Sequence, residues 1–273
     1  MCKVAVIMSV YYADNSSYLK EAINSIVNQS YNEVDLFLYI DGAISEDLVE
    51  VIEFFKCKFI NRIKVYRGCY NKGLAFGLNL LIDEVLSRGK YKYVARMDAD
   101  DISHSERIRK QVEFMQDHIH VSVIGSACKE FGASFALSEK RLPDTHEALK
   151  AFSVARCPFI HPTVMFRVSV FKDGCRYSTE TALTEDMALW FELLKKGYKF
   201  ANLTDVLLDY RLNEQTIKRR RGFYKCLSEI NLRLKYMRLL NEVTVKNFLL
   251  ISSRILFHFA PPALLKFAYR NLR

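Results

Sequence analysis

The sequence predicts an α/β fold built on a doubly wound, mostly parallel sheet. Along residues 3–98, apolar runs typical of strands alternate with stretches whose apolar residues recur at helical spacing. The strand-like runs are almost continuously apolar, as expected of strands that helices cover on both faces. Tyr11, Asp41 and Asp98 stand at the predicted carboxyl ends of three strands. Open α/β sheets bind ligands at that edge, so we expect the site there.

The first strand is predicted over residues 3–11, where an uninterrupted apolar run is bounded by polar residues. The next helix is indicated by the spacing of apolar residues from Leu19 to Val27, with Ser16 or Ser17 as its expected N-cap. The same strand–helix unit then repeats, with strands at 34–40, 63–66 and 92–98 and helices at 46–56 and 74–86.

The second half of the chain is less regular, and the pattern of residues 125–180 does not predict their fold. Pro158 and Pro162 exclude a helix from the segment that leads into a strand-like run. Residues 184–197 are typical of an amphipathic helix with an acidic start and a glycine end. The other elements are predicted as helices at 105–118 and 145–155 and strands at 121–125, 198–202 and 206–211.

The basic character of the chain is concentrated at its C-terminal end. The formal net charge is +9, but residues 211–273 alone carry 14 Lys or Arg against 3 Asp or Glu, a net of +11. The basic run Arg219-Arg220-Arg221 leads into a predicted helix, and an apolar helical stretch follows at 245–259. Neither helix reaches the roughly 18–20 uninterrupted apolar residues of a membrane span. We therefore predict a sheet domain at 1–212 and a basic amphipathic extension at 213–273.

Several classes of protein are disfavoured by the composition and motifs. The seven cysteines are odd in number and form no C-x-x-C pair, which favours reduced thiols in the cytoplasm over a zinc site or a disulfide framework. The residues after Met1 lead directly into a strand-like run, which argues against a signal peptide. Neither G-x-G-x-x-G nor G-x-x-x-x-G-K-[ST] is present, so neither a dinucleotide fold nor a P-loop is supported.

Three carboxylates, Asp98, Asp100 and Asp101, stand where the fourth predicted strand ends. Side chains alternate along extended backbone, so Asp98 and Asp100 are expected on the same side. Two carboxylates so close repel each other unless a cation lies beside them, and oxygen ligands favour Mg²⁺ or Mn²⁺ shared with substrate phosphates. The alternative is an acidic turn in which Asp101 caps the following segment. Spacing alone leaves both readings open.

A series of short motifs follows in a fixed order along residues 3–212. It comprises Ser9-Val10-Tyr11, Asp41-Gly42, Asn71-Lys72-Gly73-Leu74, Arg96-Met97-Asp98-Ala99-Asp100-Asp101, His161-Pro162-Thr163, Glu185-Asp186 and Tyr210-Arg211. In this order and spacing the motifs resemble bacterial family 2 glycosyltransferases, which are inverting enzymes of the GT-A fold. The chain is most similar to the sugar transferases that build O-antigen and capsule repeat units.

The resemblance implies a donor side that binds a nucleotide sugar together with Mn²⁺ or Mg²⁺. Asp100 corresponds to the metal ligand, Asp98 to a ribose or diphosphate contact, and Asp41 to an acceptor of hydrogen bonds from the base. One departure concerns Leu78, which precedes Asn79 where family members often have an arginine, so a diphosphate contact is expected to be missing. The residues expected to bind the nucleotide sugar are Ser9, Tyr11, Asp41, Asn71, Asp98 and Arg211.

On the acceptor side, the resemblance implies that Asp186 is the general base for the acceptor hydroxyl. Without the resemblance, Glu185 and Asp186 would be interpreted as acidic residues that stabilise the N-terminus of a helix. Glu185 and His161 are further candidates for the acceptor side. For His161 the structural alternative is a hydrogen-bonded loop histidine.

The expected activity is the inverting transfer of a sugar, expected to be UDP-linked, to a polyprenyl-diphosphate-linked oligosaccharide in O-antigen or capsule synthesis. The alternatives are a sugar-phosphate nucleotidyltransferase with a similar metal site, and a non-catalytic basic protein that binds lipid or nucleic acid. Apolar residues between the charges of residues 219–273 favour an anionic membrane surface, and no nucleic acid is expected. We therefore expect a cytoplasmic protein, peripheral on the inner face of the plasma membrane.

Overall fold

The computed structural model describes residues 2–181, 184–215, 222–261 and 264–266. Within these residues, strands and helices alternate along the first half of the chain, as predicted. The strands are β1 (Lys3–Val10), β2 (Val34–Asp41), β3 (Ile63–Gly68), β4 (Tyr91–Arg96), β5 (Ile102–Ser103), β6 (Val121–Phe131), β7 (Met165–Arg167) and β8 (Lys199–Arg211). The helices are α1 (Ser16–Val27), α2 (Glu46–Lys58), α3 (Leu74–Ser87), α4 (Arg107–Asp117), α5 (His146–Ser153), α6 (Val168–Lys172), α7 (Glu185–Lys195), α8 (Phe223–Leu239) and α9 (Val245–Phe259).

The described strands form one sheet in the order β3-β2-β1-β4-β7-β6-β8-β5. The strands of the first half, β1 to β4, pair in parallel. The short strand β7 runs antiparallel to both β4 and β6 and joins the second half to the first. The carboxyl ends of β1, β2 and β4 therefore meet at one edge of the sheet, as the sequence predicted.

The strand β1 shows why its sequence is apolar throughout. Val4, Val6 and Met8 pack into one core with residues of α1, α2 and α4, whereas Ala5 and Ile7 pack into a second core with α3 and α7. All five side chains are fully buried. Because successive side chains of a strand point to opposite faces, helices cover both sides of the sheet, and the doubly wound prediction is confirmed.

Two local predictions were wrong. The N-cap of α1 is Asn15 rather than Ser16 or Ser17, and its side chain accepts two backbone N–H groups of the first turn. Residues 199–211 form the single strand β8 instead of two short strands, because its pairing with β6 continues across a bulge between Leu203 and Val206. A bulge leaves unpaired residues inside a strand, and the sequence pattern there resembles a strand end.

The strand β4 ends at Arg96, two residues earlier than predicted. The backbone oxygen of Arg96 accepts a hydrogen bond of 2.6 Å from Nη2 of Arg107, which is fully buried. Burial and the charge of Arg96 lower the pKa of Arg107 to about 9. Asp98 and Asp100 therefore lie in a turn, and the fold of that turn, rather than strand alternation, brings their carboxylates together.

The helices α8 and α9 form at the predicted places and pack against the sheet domain. Tyr236 of α8 stacks on Phe191 of α7 with 4.8 Å between ring centroids, and Met237 and Ile251 pack with Val154. The predicted basic run at 219–221 and the chain beyond residue 266 lie outside the described residues. None of the helices that the structure describes has both the length and the apolar character needed to cross a membrane.

Candidate active site

One cavity of about 810 Å³ opens at the carboxyl edge of β1, β2 and β4. It is lined by the strand ends, by the start of α7 and by residues of α8 and α9. Every candidate site residue named from the sequence lies on this cavity: Ser9, Tyr11, Asp41, Asn71, Asp98, Asp100, His161, Glu185, Asp186 and Arg211. The structure therefore brings together residues that are up to two hundred positions apart in the chain.

Asp41 holds the loop that follows β3. Its two carboxylate oxygens accept backbone N–H groups from Lys72 at 2.7 Å and from Gly73 at 2.9 Å. Gly42 has φ +85°, and a Cβ there would lie 2.8 Å from the backbone nitrogen of Asn71. Glycine is required at this position both for its backbone conformation and for the close approach of the loop. The Asp41-Gly42 motif thus fixes Asn71 at the cavity wall.

The floor of the cavity depends on a close approach of α3 to the sheet. A Cβ on Gly77 would lie 2.6 Å from the ring of Tyr39 and 3.0 Å from Oγ of Ser9. The next residue, Leu78, is fully buried in the core, so it contributes no cation to the cavity.

Asn79 joins α3 to the segment on the acceptor side. Its Nδ2 donates to the backbone oxygen of Tyr177 at 2.8 Å, and its Oδ1 accepts the backbone N–H of Tyr177 at 2.9 Å. The hydroxyl of Tyr177 lies 3.0 Å from Nε2 of His161. Burial and the charge of Arg96 hold the pKa of His161 well below its usual range. His161 is therefore a neutral hydrogen-bonding group at the cavity wall.

The carboxylates of Asp98, Asp100 and Asp101 lie together, with one oxygen of each within 4.8 Å of the others. Burial and the charge of Asp98 raise the pKa of Asp100 to about 6. Burial, followed by the charges of Asp98 and Asp100, raises the pKa of Asp101 well above its usual range. Burial and the neighbouring carboxylates therefore both disfavour the charged forms of Asp100 and Asp101.

Two arginines partly balance this negative charge. Arg96 is buried and forms an ion pair with Asp98 through Nη2, while its Nε and Nη1 have no hydrogen-bond partner among the described residues. Arg211 donates its backbone N–H to Asp101 at 2.8 Å and its Nε–H to the backbone oxygen of Asp100 at 2.8 Å. Its Nη2 pairs with Glu21 at 2.5 Å, so the guanidinium anchors the acidic turn in this structure.

The three aspartates have the chemistry of a site for a hard divalent cation. Carboxylate oxygens are the preferred ligands of Mg²⁺ and Mn²⁺, and these ions often share their coordination shell with phosphates. Oδ2 of Asp101 is buried and finds no hydrogen-bond partner in the part of the chain that the structure describes, and a cation at the cluster would satisfy it. The sequence interpretation of Asp101 as a helix cap was wrong, because its Oδ1 accepts from Arg211 and no helix begins beside it.

Glu185 and Asp186 form the first turn of α7 and line the cavity. Oδ1 of Asp186 accepts the backbone N–H of Met187 at 2.7 Å, and Oδ2 accepts from the thiol of Cys157 at 3.5 Å. Burial and the charge of Asp186 raise the pKa of Glu185. The N-terminus of a helix also favours acidic residues in its first turn.

The C-terminal helices contribute a buried ionic cluster to the wall of the cavity. Glu229 of α8 accepts from Nε of Arg233 at 2.8 Å, from Nε of Arg254 at 3.0 Å, and lies 3.1 Å from Nε2 of His258. Burial raises the pKa of Glu229, but the charges of Arg233 and Arg254 outweigh it and bring the pKa to about 2. Arg233 also donates to the last carbonyls of α5, at Ser153 and Val154.

Comparison with known proteins decides the family of the chain. A model of the Glycosyl transferase family 2 matches residues 5–174. The chain belongs to glycosyl transferase family 2. The O-antigen biosynthesis glycosyltransferase WbnJ of Escherichia coli is 30% identical over 94% of both chains. A UDP-Gal:alpha-D-GlcNAc-diphosphoundecaprenol beta-1,3-galactosyltransferase of Escherichia coli is 29% identical over 99% of this chain and 96% of the relative.

Solved structures of low sequence identity share the fold of this family 2 glycosyltransferase. Staphylococcus aureus TarS 1–349 in complex with UDP-GlcNAc aligns with a TM-score of 0.62 at 17% identity, over 98% of this chain and 76% of that chain. The mannosyltransferase PcManGT of Pyrobaculum calidifontis, in complex with GDP-Man and Mn²⁺, aligns with a TM-score of 0.64 at 15% identity, over 98% and 73%. The prediction of a GT-A-like fold is confirmed.

The sequence interpretation of this family 2 glycosyltransferase missed the contribution of its C-terminal helices to the cavity. A signal was present, because Lys225, Glu229 and Arg233 are spaced four residues apart, as are Arg254 and His258. Such spacing places charged side chains on one face of each helix. The apolar residues between them predicted a membrane-binding surface, and no pattern in the sequence indicated that the charged faces of the two helices meet.

Replacing Glu229 by Gln is expected to lower the free energy of unfolding by about 3 kcal/mol at pH 7. The pKa of Glu229 is lowered from 4.5 to about 2 in the folded chain, so its stabilisation is complete above pH 4.5 and is lost as the pH falls towards 2. Thermal melting of both proteins between pH 7 and pH 2 should therefore show a difference in melting temperature that shrinks as the pH falls below 4.5. The exposed Glu50→Gln on α2 is the control, and an equally large difference for it would contradict the prediction.

Proposed function

We propose that the protein is an inverting, metal-dependent glycosyltransferase whose sheet domain spans residues 1–212. The observation that carries this proposal is a single cavity lined both by the acidic turn after β4 and by Asp186. The turn has the chemistry for a nucleoside diphosphate with its cation, and Asp186 provides a carboxylate that can take a proton. Direct transfer of a sugar between two bound substrates needs both groups at one centre.

The proposed donor is a nucleotide sugar, with UDP as the expected nucleotide. TarS has been solved with UDP-GlcNAc, and a relative of the chain carries UDP-Gal in its name, which supports this choice. Ser9, Tyr11, Asp41 and Asn71 would bind the nucleoside at the ends of β1 and β2 and along the loop that Asp41 holds. Asp98 would contact the ribose or the diphosphate.

Asp100, with Asp98 and Asp101 beside it, would hold the divalent cation, Mn²⁺ or Mg²⁺. The PcManGT complex with GDP-Man and Mn²⁺ supports a metal at such a site. When bound, the cation would stabilise the negative charge that develops on the departing nucleoside diphosphate. Arg211 holds the backbone of the turn through its hydrogen bond to Asp100, and Arg96 pairs with Asp98.

Asp186 would act as the general base. The acceptor hydroxyl oxygen attacks the anomeric carbon of the donor, the bond from that carbon to the phosphate oxygen breaks, and the hydroxyl proton passes to Asp186. A single in-line displacement inverts the anomeric configuration. The hydrogen bonds from Met187 N–H and the Cys157 thiol orient the carboxylate. Neutral His161, and Glu185 with its raised pKa, would contact acceptor hydroxyl groups.

The proposed acceptor is a sugar on a polyprenyl diphosphate in the synthesis of a surface polysaccharide. The relative that acts on GlcNAc-diphosphoundecaprenol supports this acceptor class, and WbnJ supports the O-antigen pathway. The family assignment disfavours the two alternatives, a nucleotidyltransferase and a non-catalytic basic protein.

Incubation with a panel of UDP-sugars, Mn²⁺ and a lipid-diphosphate sugar is expected to release UDP. Asp186→Asn should lower kcat by about 10²–10⁴-fold, because a positioned base contributes that much, while the affinity for UDP is retained. Glu192→Gln on the same helix lies off the cavity and is the matched control. Release of pyrophosphate, or an Asp186→Asn variant as active as the parent, would contradict the proposal.

We further propose that residues 219–273 bring the enzyme to an anionic membrane surface. Large apolar side chains are exposed along α8 and α9, with Tyr224 83%, Leu249 62% and Leu256 71% exposed. Basic residues lie between them, and each adds about 1 kcal/mol of attraction near an anionic surface. An exposed apolar face among cations is typical of a helix that lies in a membrane interface.

Flotation with vesicles of phosphatidylcholine and phosphatidylglycerol tests this attachment. Replacing Leu249 and Leu256 together by Asp should weaken vesicle binding by at least about tenfold, since each leucine contributes on the order of 1 kcal/mol when buried in lipid. Ile119→Asp removes an equally exposed apolar residue outside the C-terminal helices and should have no effect. Equal losses for both changes, or no vesicle binding by the parent, would overturn the proposal.

A further inference from the structure

Cationic side chains reach the cavity from two parts of the fold. Arg96 and Arg211 accompany the acidic turn after β4. Lys225 and Arg233 of α8 and Arg254 of α9 line the same cavity from the C-terminal helices. Sugar transfer from a nucleotide sugar involves one donor diphosphate, which we assign above to the acidic turn and its cation, and that assignment does not involve the cations of α8 and α9.

Two cations of this second group act on residues beside the proposed base. Burial and Asp186 raise the pKa of Glu185, and the charges of Arg96 and then Lys225 act against this rise. Burial and Asp186 likewise raise the pKa of Cys157, whose thiol donates to Asp186, and the charge of Arg233 acts against it. Arg254 lines the same cavity and shares Glu229 with Arg233. An anion held by α8 and α9 would therefore lie in the cavity that Asp186 also lines.

The two arginines of this group differ in how far the protein already uses them. Arg233 is buried, and its guanidinium donates to Glu229 and to two backbone carbonyls of α5. Arg254 donates only its Nε–H, to Glu229, and among the described residues no hydrogen bond of its two Nη groups is found. Its side chain remains 29% exposed. Arg233 therefore holds α8 in place, whereas Arg254 can present two donors to a ligand.

We propose that Lys225 and Arg254 bind the diphosphate of the lipid-linked acceptor. This inference rests on the function proposed above and names the group that its acceptor presents to the C-terminal helices. The acceptor diphosphate is attached to the anomeric carbon of a sugar, so a hydroxyl of that same sugar at Asp186 places the diphosphate one sugar ring away. An arginine fork and a lysine are suited to phosphate oxygens in bidentate and single contacts.

The surroundings of Arg254 fit the lipid that follows the diphosphate. The ring of Phe257 lies 5.0 Å from the Arg254 guanidinium, and Phe257 and Leu265 both line the cavity. The opposite face of α9 exposes Leu249 and Leu256. A polyprenyl chain attached to the diphosphate would thus contact apolar side chains between the cavity and the proposed membrane-binding surface.

Binding of farnesyl diphosphate to the full chain, saturated beforehand with UDP and Mn²⁺, tests the proposal. Arg254→Gln and Lys225→Gln should each weaken farnesyl diphosphate by about tenfold, since a hydrogen bond to a charged group is lost in each. Arg238→Gln and Lys246→Gln remove the same charge from the same two helices away from the cavity, and both should bind like the parent. Farnesol should bind all five proteins alike.

A second measurement distinguishes the acceptor diphosphate from that of the donor. The affinity for UDP with Mn²⁺ should be unchanged in Arg254→Gln and Lys225→Gln, and their melting temperatures show whether the fold is intact. Equal farnesyl diphosphate affinity in the parent and both variants, or an equal loss of UDP affinity, would overturn the assignment. Failure of the parent to bind UDP with Mn²⁺ would instead refute the proposed function itself.

Discussion

The structure depends on how negative charge is balanced where the central strand β4 ends. Three aspartates in one turn, poorly solvated, repel one another, and burial and this repulsion raise the pKa of Asp100 to about 6. Arg96 pairs with Asp98, and Arg211 fixes the backbone of the turn and one oxygen of Asp101. A divalent cation would relieve the repulsion between these carboxylates, so the electrostatics of the turn favour the binding of a cation.

The rest of the fold builds the cavity around this turn. The parallel strands bring Ser9, Tyr11 and Asp41 to one edge, and Asn79 ties α3 to the segment of Tyr177 and His161. The helices α8 and α9 complete the cavity. They are joined to each other and to α5 by the ionic cluster around Glu229. These helices of the basic extension therefore line the cavity and also expose an apolar outer face.

The sequence was informative where a local pattern reports a local requirement. The apolar run of β1, the Asp41-Gly42 motif and the resemblance to the family predicted the sheet and the residues that line the cavity. The sequence did not predict the features that depend on contacts between residues far apart in the chain. The end of β4 at Arg96 depends on a hydrogen bond from Arg107, and the bulge in β8 depends on its pairing with β6. Which faces of α8 and α9 turn towards the cavity depends on how the two helices pack, and no local pattern in the sequence reports that packing.

The central claim, that the turn after β4 holds a divalent cation, is tested most directly by titrating Mn²⁺ into the protein with UDP and following free Mn²⁺ by electron paramagnetic resonance. The parent should bind one Mn²⁺ per chain. Asp100→Asn should weaken that binding by more than about 100-fold, because changes even to outer-shell partners cost 10–100-fold. Asp117→Asn, an exposed carboxylate at the end of α4, should leave it unchanged. Equal Mn²⁺ affinity in the parent and Asp100→Asn would contradict the account.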